Sequence, residues 1–371
     1  MIQALITITP MLVCMFWVVM LLLELHEHGN RAAHGELLLW AITATLLYSG
    51  HCVFFNYEYQ VLPFVDSMYI TCNLAIFPLY LRYITKLTQG RVSTRLNALV
   101  LFPPLVFGIT ALIIYLLMTP EEIAHFFDIH LYHNQFDELT PLSYLQTILH
   151  QARKVLFAIS VVLTAWLGFR KIKSYNRLVD SIYASTDDKR LRGITPILLL
   201  LLVTGVISIV ANAIGRCTFT GQTLTLFIPS TVFSILLFAI GYFGYRQQFS
   251  FVDIDKEEEQ SGECSCVGNF STEQLKYVVI DEQLFLQPNL KVDDVARHMG
   301  TNRRYVQQLL NVEMGMSFNE YINRLRTDYA EQLFKNRKDL SVETVLGLSG
   351  YLSASTFYRN FKKYKGYTPR T

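Results

Sequence analysis

A series of long apolar runs in the first 245 residues constrains the fold more than any other feature of the sequence. A hydrocarbon core about 30 Å thick is crossed by about 20 apolar residues in an α-helix. Helices are required because lipid offers no hydrogen-bond partner to an exposed backbone amide. The sequence therefore predicts an all-α chain whose residues 1–249 form a seven-span transmembrane bundle. The runs cover residues 2–25, 37–55, 62–81, 96–118, 155–169, 194–214 and 224–245.

Composition agrees with a membrane protein. The chain is 51% hydrophobic and 17% charged, whereas soluble domains are about 25% charged. The third run is the weakest because it contains Asp66, Asn73 and Pro78, and the fifth is expected to begin earlier, near Leu145. Polar groups at membrane depth, such as Asp66, Asn73 and His51, are typical of functional sites. Hydrogen bonding between helices explains them equally well.

The distribution of Lys and Arg among the loops predicts the orientation. With the N-terminus outside, the cytoplasmic loops contain Arg31, Arg82, Lys86, Arg91, Arg95, Arg170, Lys171, Lys173, Arg177, Lys189, Arg190 and Arg192. The outer loops then contain Arg216, with Arg153 and Lys154 added if the fifth span starts late. Seven spans leave the C-terminal region in the cytoplasm, so we expect a multi-pass protein of the cell inner membrane.

The largest outer segment is predicted from Thr119 to about His150. A segment of this length is expected to have helical structure of its own and to be a place where a signal is met. It contains His125, Asp128, His130 and His133, which lie close together in the sequence and are possible zinc ligands. Their spacing fits no strong metal template, so surface or interfacial histidines are the favoured interpretation and no metal site is predicted.

Beyond Tyr245 the sequence becomes polar and acidic. Residues 250–270 therefore predict an acidic flexible linker. Cys264 and Cys266 lie in this linker without a nearby His or a second cysteine pair, which favours inert thiols.

Residues 290–311 fit the pattern of a helix-turn-helix unit. Ala296 is small enough for two helices to cross, Gly300 permits a turn with positive φ, and Thr301 or Asn302 can cap the second helix. The side chains expected to face the core are Val306, Leu309 and Leu310. The outer face would carry Arg303, Arg304, Gln307 and Gln308. Arg can pair with guanine and Gln with adenine, and although a solvated helix face uses the same residue types, the Ala–Gly–Val spacing favours DNA.

A central helix and a second unit follow. Ser317 and Glu320 predict a capping box, and the apolar stripe behind it is Phe318, Tyr321, Ile322, Leu325, Tyr329 and Leu333. In the second unit, at about 341–364, the predicted caps are Ser341 and Ser353, the turn residue is Gly350, and the buried pair is Phe357 and Phe361. Ser355, Thr356 and Arg359 would face outward from a turn one residue longer than the first. From Tyr351 onward there are five basic residues and no acidic residue, a charge pattern suited to phosphates.

The segments YINRLRTDYAEQL and GYLSASTFYRNFKKYKGYTP make residues 271–371 resemble the AraC/XylS family of bacterial transcription regulators. The N-terminal half is similar in layout to membrane-bound members of that family. The resemblance implies two recognition helices in successive major-groove segments. It implies base contacts from Arg304, Gln307, Gln308, Ser355, Thr356 and Arg359, and phosphate contacts from Lys362 and Lys363.

The resemblance has two departures. Leu346 stands where a small residue is usual, so the first helix of the second unit should sit slightly differently. Thr371 follows Pro369 without the usual closing aromatic–Arg pair, and Arg370 is expected to take its place.

Together these features predict a membrane-anchored, sequence-specific DNA-binding transcription regulator whose spans sense an unknown signal. The expected partners are double-stranded DNA, membrane lipid, a small-molecule or protein signal at the outer face, a second copy of the chain, and RNA polymerase if the protein is an activator. The sequence has no phosphate-binding loop and no HExxH motif, so neither a catalytic activity nor a cofactor is expected. Two alternatives stay open: a membrane transporter or enzyme fused to a regulatory DNA-binding domain, and spans that act only as an anchor.

Overall fold

The structure is a computed structural model of the chain and describes residues 2–29, 33–55, 60–133, 135, 139–214, 223–261 and 271–369. Within these residues all regular structure is helical, apart from one isolated bridge between Tyr183 and Lys291. The predicted all-α fold class is confirmed. The chain divides into two compact units: Met1–Ile172 with Leu191–Val252, and Lys173–Arg190 with Asp253–Thr371.

Long apolar helices build the first unit. They are α1 (Ile2–His28), α2 (His34–Phe55), α3 (Leu62–Gln89), α4 (Thr94–Leu117), α6 (Pro141–Ile182), α7 (Ile194–Ile214) and α8 (Thr223–Arg246), and α5 (Pro120–Phe126) is a short helix between α4 and α6. Helices α1, α2, α3, α4, α6 and α8 are long and apolar enough to cross a membrane, and the apolar stretch of α7, Ile194–Val210, is shorter. The predicted number of seven spans therefore stays a prediction.

Burial explains why the third run is the least apolar. In α3, 72% of the most apolar window is buried inside the protein, against 44% or less in the other candidate spans. A helix surrounded by other helices needs no continuous lipid-compatible surface, so it can carry polar side chains that find protein partners. On α4, in contrast, Leu99, Phe102 and Leu116 are exposed, as expected for side chains that face lipid.

Two interhelical hydrogen bonds account for the polar groups of α3. Tyr115 donates its hydroxyl to Asp66 Oδ2 at 2.9 Å, and His150 Nε2 lies 3.1 Å from the same oxygen. Arg153 Nη1 donates to Asn73 Oδ1 at 2.6 Å. These contacts agree with the interpretation of Asp66 and Asn73 as sites of helix–helix bonding. Arg153 is buried within α6 and does not belong to an outer loop.

Helix α6 extends beyond both ends of the fifth apolar run. Its start at Pro141 agrees with the expectation of a beginning near Leu145. The end at Ile182 lies well past Phe169, because the backbone hydrogen bonds of a helix continue through a polar stretch as well as through an apolar one. The last part of α6, from Lys173, belongs to the second unit.

The segment between α4 and α6 is helical, as its length predicted. A capping box of Thr119 and Glu122 opens α5, and a π-helical turn follows over Phe127–Tyr132. His130 Nδ1 lies 3.2 Å from the carbonyl oxygen of Gln135, and burial lowers the pKa of His130 to about 4. Its imidazole is therefore neutral at pH 7. No group of three or more His, Cys, Asp or Glu that could hold a metal ion occurs in the described part of the chain.

The expected linker is helical in its first half. Helix α9 covers Phe251–Ser261, where the acidic composition had suggested irregular chain. Acidic residues near the start of a helix interact favourably with its dipole, and Asp253 occupies that position. Residues 262–270, including Cys264 and Cys266, lie outside the described residues.

The second unit consists of short helices around one central helix. In order they are α10 (Thr272–Lys276), a π-turn (Tyr277–Asp281), a 3-10 turn (Leu284–Leu286), α11 (Val292–His298), α12 (Arg303–Gln308) with a π-turn (Leu309–Glu313), α13 (Phe318–Asn336), α14 (Val342–Leu348) and α15 (Ala354–Lys365). Ser317 Oγ accepts a hydrogen bond from Glu320 N at 3.3 Å and opens α13. The Glu320 carboxylate accepts a hydrogen bond from Lys363 Nζ at 3.2 Å.

Candidate functional site

Helices α11 and α12 form the first helix-turn-helix unit. Gly300 has φ +67°, a conformation that costs glycine little. Thr301 N donates to the carbonyl oxygen of Ala296 at 2.9 Å, which satisfies a carbonyl at the end of α11. Asn302 is the cap of α12, since its Oδ1 accepts a hydrogen bond from Tyr305 N at 3.2 Å. Of the two caps that the sequence allowed, the structure uses Asn302.

The two faces of α12 separate as the spacing predicted. Val306, Leu309 and Leu310 are buried. Arg304 and Gln308 are exposed, and Arg303 and Gln307 are partly exposed. The buried apolar face fixes the helix, and the Arg and Gln side chains are available on the other face for hydrogen bonds to base edges.

Helices α14 and α15 form the second unit. Ser341 Oγ accepts a hydrogen bond from Thr344 N at 3.1 Å, and Ser353 Oγ accepts one from Thr356 N at 3.2 Å. Gly350 at the turn has φ +76°. The distance in sequence from the turn glycine to the cap is one residue longer than in the first unit, as the position of the buried phenylalanine indicated.

An aromatic core holds α14 and α15 against α13. Its buried members are Ala330, Val345, Tyr351, Phe357 and Phe361. Leu346 packs against this cluster and is only partly buried. The larger side chain at position 346 is accommodated because it lies at the margin of the core, while Val345 occupies the fully buried position.

The outward face of α15 is polar and basic. Ser355, Arg359, Lys362 and Lys363 are exposed, and Thr356 is partly exposed. All six of the residues for which the resemblance implied base contacts, and both of the implied phosphate contacts, therefore lie at least partly at the surface.

Lys365 differs from its basic neighbours. Its Nζ lies 2.8 Å from both Asp328 Oδ1 and Glu331 Oε2, and its side chain is only 17% exposed. Hydrogen bonds from Lys365 and Tyr367 lower the pKa of Glu331 to about 2. Lys365 therefore joins α15 to α13 and contributes less to a phosphate-binding surface than its position in the basic run suggested. Arg370 lies outside the described residues.

Arg326 is a structural residue that the sequence pattern did not reveal. It is 1% exposed on α13, and its guanidinium donates to the carbonyl oxygens of Phe285 at 2.7 Å and Gln287 at 2.6 Å. Burial lowers the pKa of Arg326 to about 10, so it stays charged at neutral pH. The residue attaches the chain before the first helix-turn-helix unit to the central helix. An Arg surrounded by polar residues in sequence looks solvent-exposed, and only the carbonyls that it meets in space show otherwise.

Two side chains of the candidate DNA-reading surface, and the cap of α15, already have partners within the second unit. Gln307 Nε2 donates to both the carbonyl oxygen and the hydroxyl of Ser181 at 3.1 Å. Arg359 Nη2 donates to Asp187 Oδ1 at 3.2 Å, and Ser353 Oγ donates to Asp187 Oδ2 at 3.2 Å. Ser181 lies in the last turn of α6, and Asp187 lies in the segment between α6 and α7. Sequence reasoning treated that segment only as a carrier of positive charge.

The first unit contains a separate cavity of about 240 Å³. It is mostly apolar, with hydrogen-bonding side chains at Tyr48, His51 and Asn73 on its wall. On another side of the wall, Pro10 has no amide hydrogen to bond to the carbonyl of Ile6, and Ser230 Oγ donates to that carbonyl at 2.5 Å. The carbonyl of Ile6, which Pro10 leaves without its usual helical donor, is thus satisfied by a side chain of a neighbouring helix.

Comparisons with known proteins concern the C-terminal part of the chain. Residues 295–371 match the family described as Helix-turn-helix domain. The chain is 31% identical over 83 residues to the Uncharacterized HTH-type transcriptional regulator YtdP of Bacillus subtilis, which is 22% of this chain and 11% of that protein. It is 30% identical over 81 residues to the Melibiose operon regulatory protein of Escherichia coli K12, which is 22% of this chain and 26% of that protein. It is 28% identical over 90 residues to the Probable transcription factor PqrA of Proteus vulgaris, which is 24% of this chain and 73% of that protein.

No solved structure matches the chain significantly. The alignments to the YtdP and melibiose regulators cover about a quarter or less of those proteins, so the similarity is one of domains and not of whole proteins. The geometry and the comparisons agree on the C-terminal region. It is a DNA-binding domain of the helix-turn-helix class. More particularly, it is of the AraC type, with two helix-turn-helix units joined by a central helix.

Proposed function

We propose that the protein is a membrane-anchored, sequence-specific DNA-binding transcription regulator. The observation that carries this proposal is the pair of helix-turn-helix units whose recognition helices, α12 and α15, present Arg, Gln, Ser and Thr at the surface. The match over residues 295–371 adds support, because the relatives with this domain include operon regulators.

The chemistry of the exposed side chains assigns their roles. Arg304 and Gln308 are the side chains of α12 best placed to meet base edges, with Arg303 and Gln307 beside them. Ser355, Thr356 and Arg359 would read bases from α15. Lys362 and Lys363 would contact phosphates, which position the protein without specifying sequence.

The membrane topology is also part of the proposal. The Lys173–Arg190 segment, whose basic residues predict a cytoplasmic location, belongs to the same compact unit as the DNA-binding domain. Both must then lie on the same side of the membrane, so an even number of spans separates them. Helices α7 and α8 are the two candidates. This parity supports α7 as a span, and it supports seven spans with a cytoplasmic C-terminal domain.

We expect substitutions on the recognition helices to separate base contacts from phosphate contacts. Arg304→Ala or Gln308→Ala should each weaken binding to the preferred sequence by about 1–3 kcal/mol and relax specificity at one base pair. Lys362→Ala should weaken binding to all sequences alike and lower the slope of log affinity against log salt by about 1. The measurement uses the full chain in lipid nanodiscs, a preferred duplex selected from a random library, and fluorescence anisotropy at several salt concentrations.

Lys335→Ala is the matched control, because Lys335 is 67% exposed on α13 and lies on neither recognition helix. It should leave affinity and specificity close to wild type. Failure of the wild-type chain to select any sequence from the library would contradict the proposed function.

We further propose that the first unit is a receptor. The cavity supports this role because it combines apolar walls with a few hydrogen-bonding side chains, as small-molecule sites do. The expected ligand is a small, largely apolar molecule with a polar group that His51, Tyr48 or Asn73 can bond. The anchor-only alternative requires no such ligand, and the transporter or enzyme alternative requires that the ligand be moved or converted.

Filling the cavity should alter transcription without altering membrane insertion. Ala44 is buried on the cavity wall, and Ala44→Phe should change transcript levels of bound genes by roughly fivefold or more, in line with ordinary allosteric coupling. Leu99→Phe is the control, since Leu99 is 58% exposed on α4. Genome-wide RNA measurements on cells with equal amounts of each protein in the membrane provide the readout. Unchanged transcripts for Ala44→Phe would favour spans that act only as an anchor. Turnover or transport of a substrate by the purified protein would favour the transporter or enzyme alternative.

A further inference from the structure

The residues between α6 and α7 pack on the DNA-binding domain within the second unit. Tyr183 forms an antiparallel bridge with Lys291, and Ala184 N donates to the carbonyl oxygen of Leu290 at 3.1 Å. The side-chain amides of Asn319 and Asn323 donate to the carbonyl oxygen of Ala184 at 2.7 and 2.9 Å. The backbone of residues 181–187, called the 181–187 segment below, is therefore held by several hydrogen bonds at once.

Burial agrees with a formed interface. Tyr183 is 2% exposed and Ala184 is 1% exposed, and Asn323 on α13 is 2% exposed. Buried polar groups are normally hydrogen-bonded, and here the amides of α13 and the carbonyls of the segment satisfy each other. The segment therefore packs on the central helix of the domain as well as on its surface side chains.

The two ends of the 181–187 segment form hydrogen bonds with residues of the recognition helices and with the cap of α15. At one end, Ser181 accepts two hydrogen bonds from Gln307 of α12. At the other end, Asp187 accepts one from Arg359 of α15 and one from Ser353, the cap of α15. A segment of seven residues thus reaches the reading helices of both helix-turn-helix units.

The chemistry of these contacts resembles that of DNA. A backbone carbonyl and a hydroxyl offer the Gln amide the acceptors that a base edge would offer, and the Asp187 carboxylate offers the Arg359 guanidinium an anionic acceptor as a phosphate would. A donor bonded to the segment is not available to DNA at the same moment. The negative charge of Asp187 would also repel a DNA phosphate at this surface.

We propose that the 181–187 segment is the intramolecular partner of the recognition helices and competes with DNA for them. This inference rests on the proposed DNA-reading function. DNA binding is weak while the segment is docked and strong once it is displaced. Helix α6 carries both Phe157, on the cavity wall, and Ser181, so a continuous helix connects the proposed receptor with the competing segment.

Removing the Asp187 charge tests the competition. In the full chain in lipid nanodiscs, Asp187→Asn should lower Kd for a duplex roughly threefold, the size expected for a partly exposed ion pair. Asp188→Asn is the matched control. It makes the same charge change at the next residue, where the side chain is 72% exposed and pairs with Lys189, and should leave Kd within experimental error. Equal effects of the two substitutions would overturn the proposal, because they would reflect net charge alone.

A second variant displaces the whole segment. Ala184→Arg places a long charged side chain at a position that is 1% exposed without altering any proposed DNA contact. It should lower Kd roughly tenfold or more, as expected for the loss of a competing contact of ordinary allosteric strength. A Kd equal to that of the wild type would contradict the competition.

Hydrogen exchange on the wild-type chain gives a test that needs no substitution. Linkage is reciprocal, so a segment that weakens DNA binding must itself be released by DNA. A saturating duplex, selected from a random library, should accelerate exchange of the Ala184 amide and its neighbours in the 181–187 segment. Unchanged or slower exchange would overturn the proposal. If the wild type and every variant fail to bind any duplex at low salt, the proposed DNA-binding function is contradicted. If the wild type binds DNA but neither the substitutions change Kd nor DNA accelerates exchange of the segment, only the proposed competition is contradicted.

Discussion

Gly350→Ala is expected to destabilise the second helix-turn-helix unit by about 3–5 kcal/mol, the sum of backbone strain and overpacking. Gly350 has φ +76°, and a Cβ built at this position would lie 2.5 Å from the carbonyl oxygen of Leu286. That oxygen belongs to the backbone of the 3-10 turn, so it cannot move aside as a flexible side chain would. Strain and steric overlap therefore act together.

Gly300→Ala is the matched control for this substitution. Gly300 has nearly the same backbone conformation, with φ +67°, but a Cβ there would meet no heavy atom within 4 Å. Backbone strain alone should cost about 1 kcal/mol. Opening free energies from hydrogen exchange of α15 for Gly350→Ala, and of α12 for Gly300→Ala, measure both effects in the full chain. Equal losses for the two alanines would show that the contact with Leu286 is unimportant.

Arg326→Met is expected to destabilise the segment before the first helix-turn-helix unit by about 2–4 kcal/mol, because backbone carbonyl groups lose a charged hydrogen-bond donor. Methionine fills much of the space, but it removes the donor that Arg326 supplies to the carbonyl oxygen of Phe285 and one of the donors to that of Gln287, which also accepts from Leu290 N at 3.2 Å. A buried carbonyl without a donor bears the full cost of its lost hydration. Exchange of amides over Tyr277–Leu290 should accelerate strongly.

Arg324→Met supplies the comparison for Arg326. Arg324 lies on the same helix and is exposed, so its loss should change the opening free energy by no more than about 0.5 kcal/mol. Arg326→Lys should recover little, because one ammonium cannot reproduce the planar fork that reaches both carbonyls. Wild-type exchange in Arg326→Met would mean that these hydrogen bonds contribute little to the domain.

The elements with a strong local signal could be predicted from the sequence. Apolar runs located the long helices, because lipid exposure demands apolar side chains over a fixed length. The caps Asn302, Ser341 and Ser353 and the turn at Gly350 were also predictable, since helix ends and positive φ select particular residue types. The AraC-type domain was recognisable for the same reason.

Features that depend on contacts between residues distant in sequence could not be predicted. The end of α6 was missed because its last turns are polar and hydropathy gives no signal for a polar helix. Helix α9 was missed because acidic composition resembles that of a linker. Arg326 and Lys365 look like surface residues until their partners are known.

The docking of the 181–187 segment is the clearest example of that limit. The contact between Asp187 and Arg359 joins positions that are 172 residues apart. Its members appear in the sequence only as ordinary charged residues of a loop and a helix.

Genome-wide DNA occupancy of the membrane-bound chain is the most direct test of the central claim that a membrane-anchored protein reads specific DNA through α12 and α15. Cells would carry either the wild-type chain or the Arg304→Ala, Gln308→Ala double variant, each confirmed at equal amounts in the inner membrane. The proposed function predicts discrete sites that share a sequence and that disappear in the double variant. Occupancy without a shared sequence, or the same sites in both strains, would contradict it.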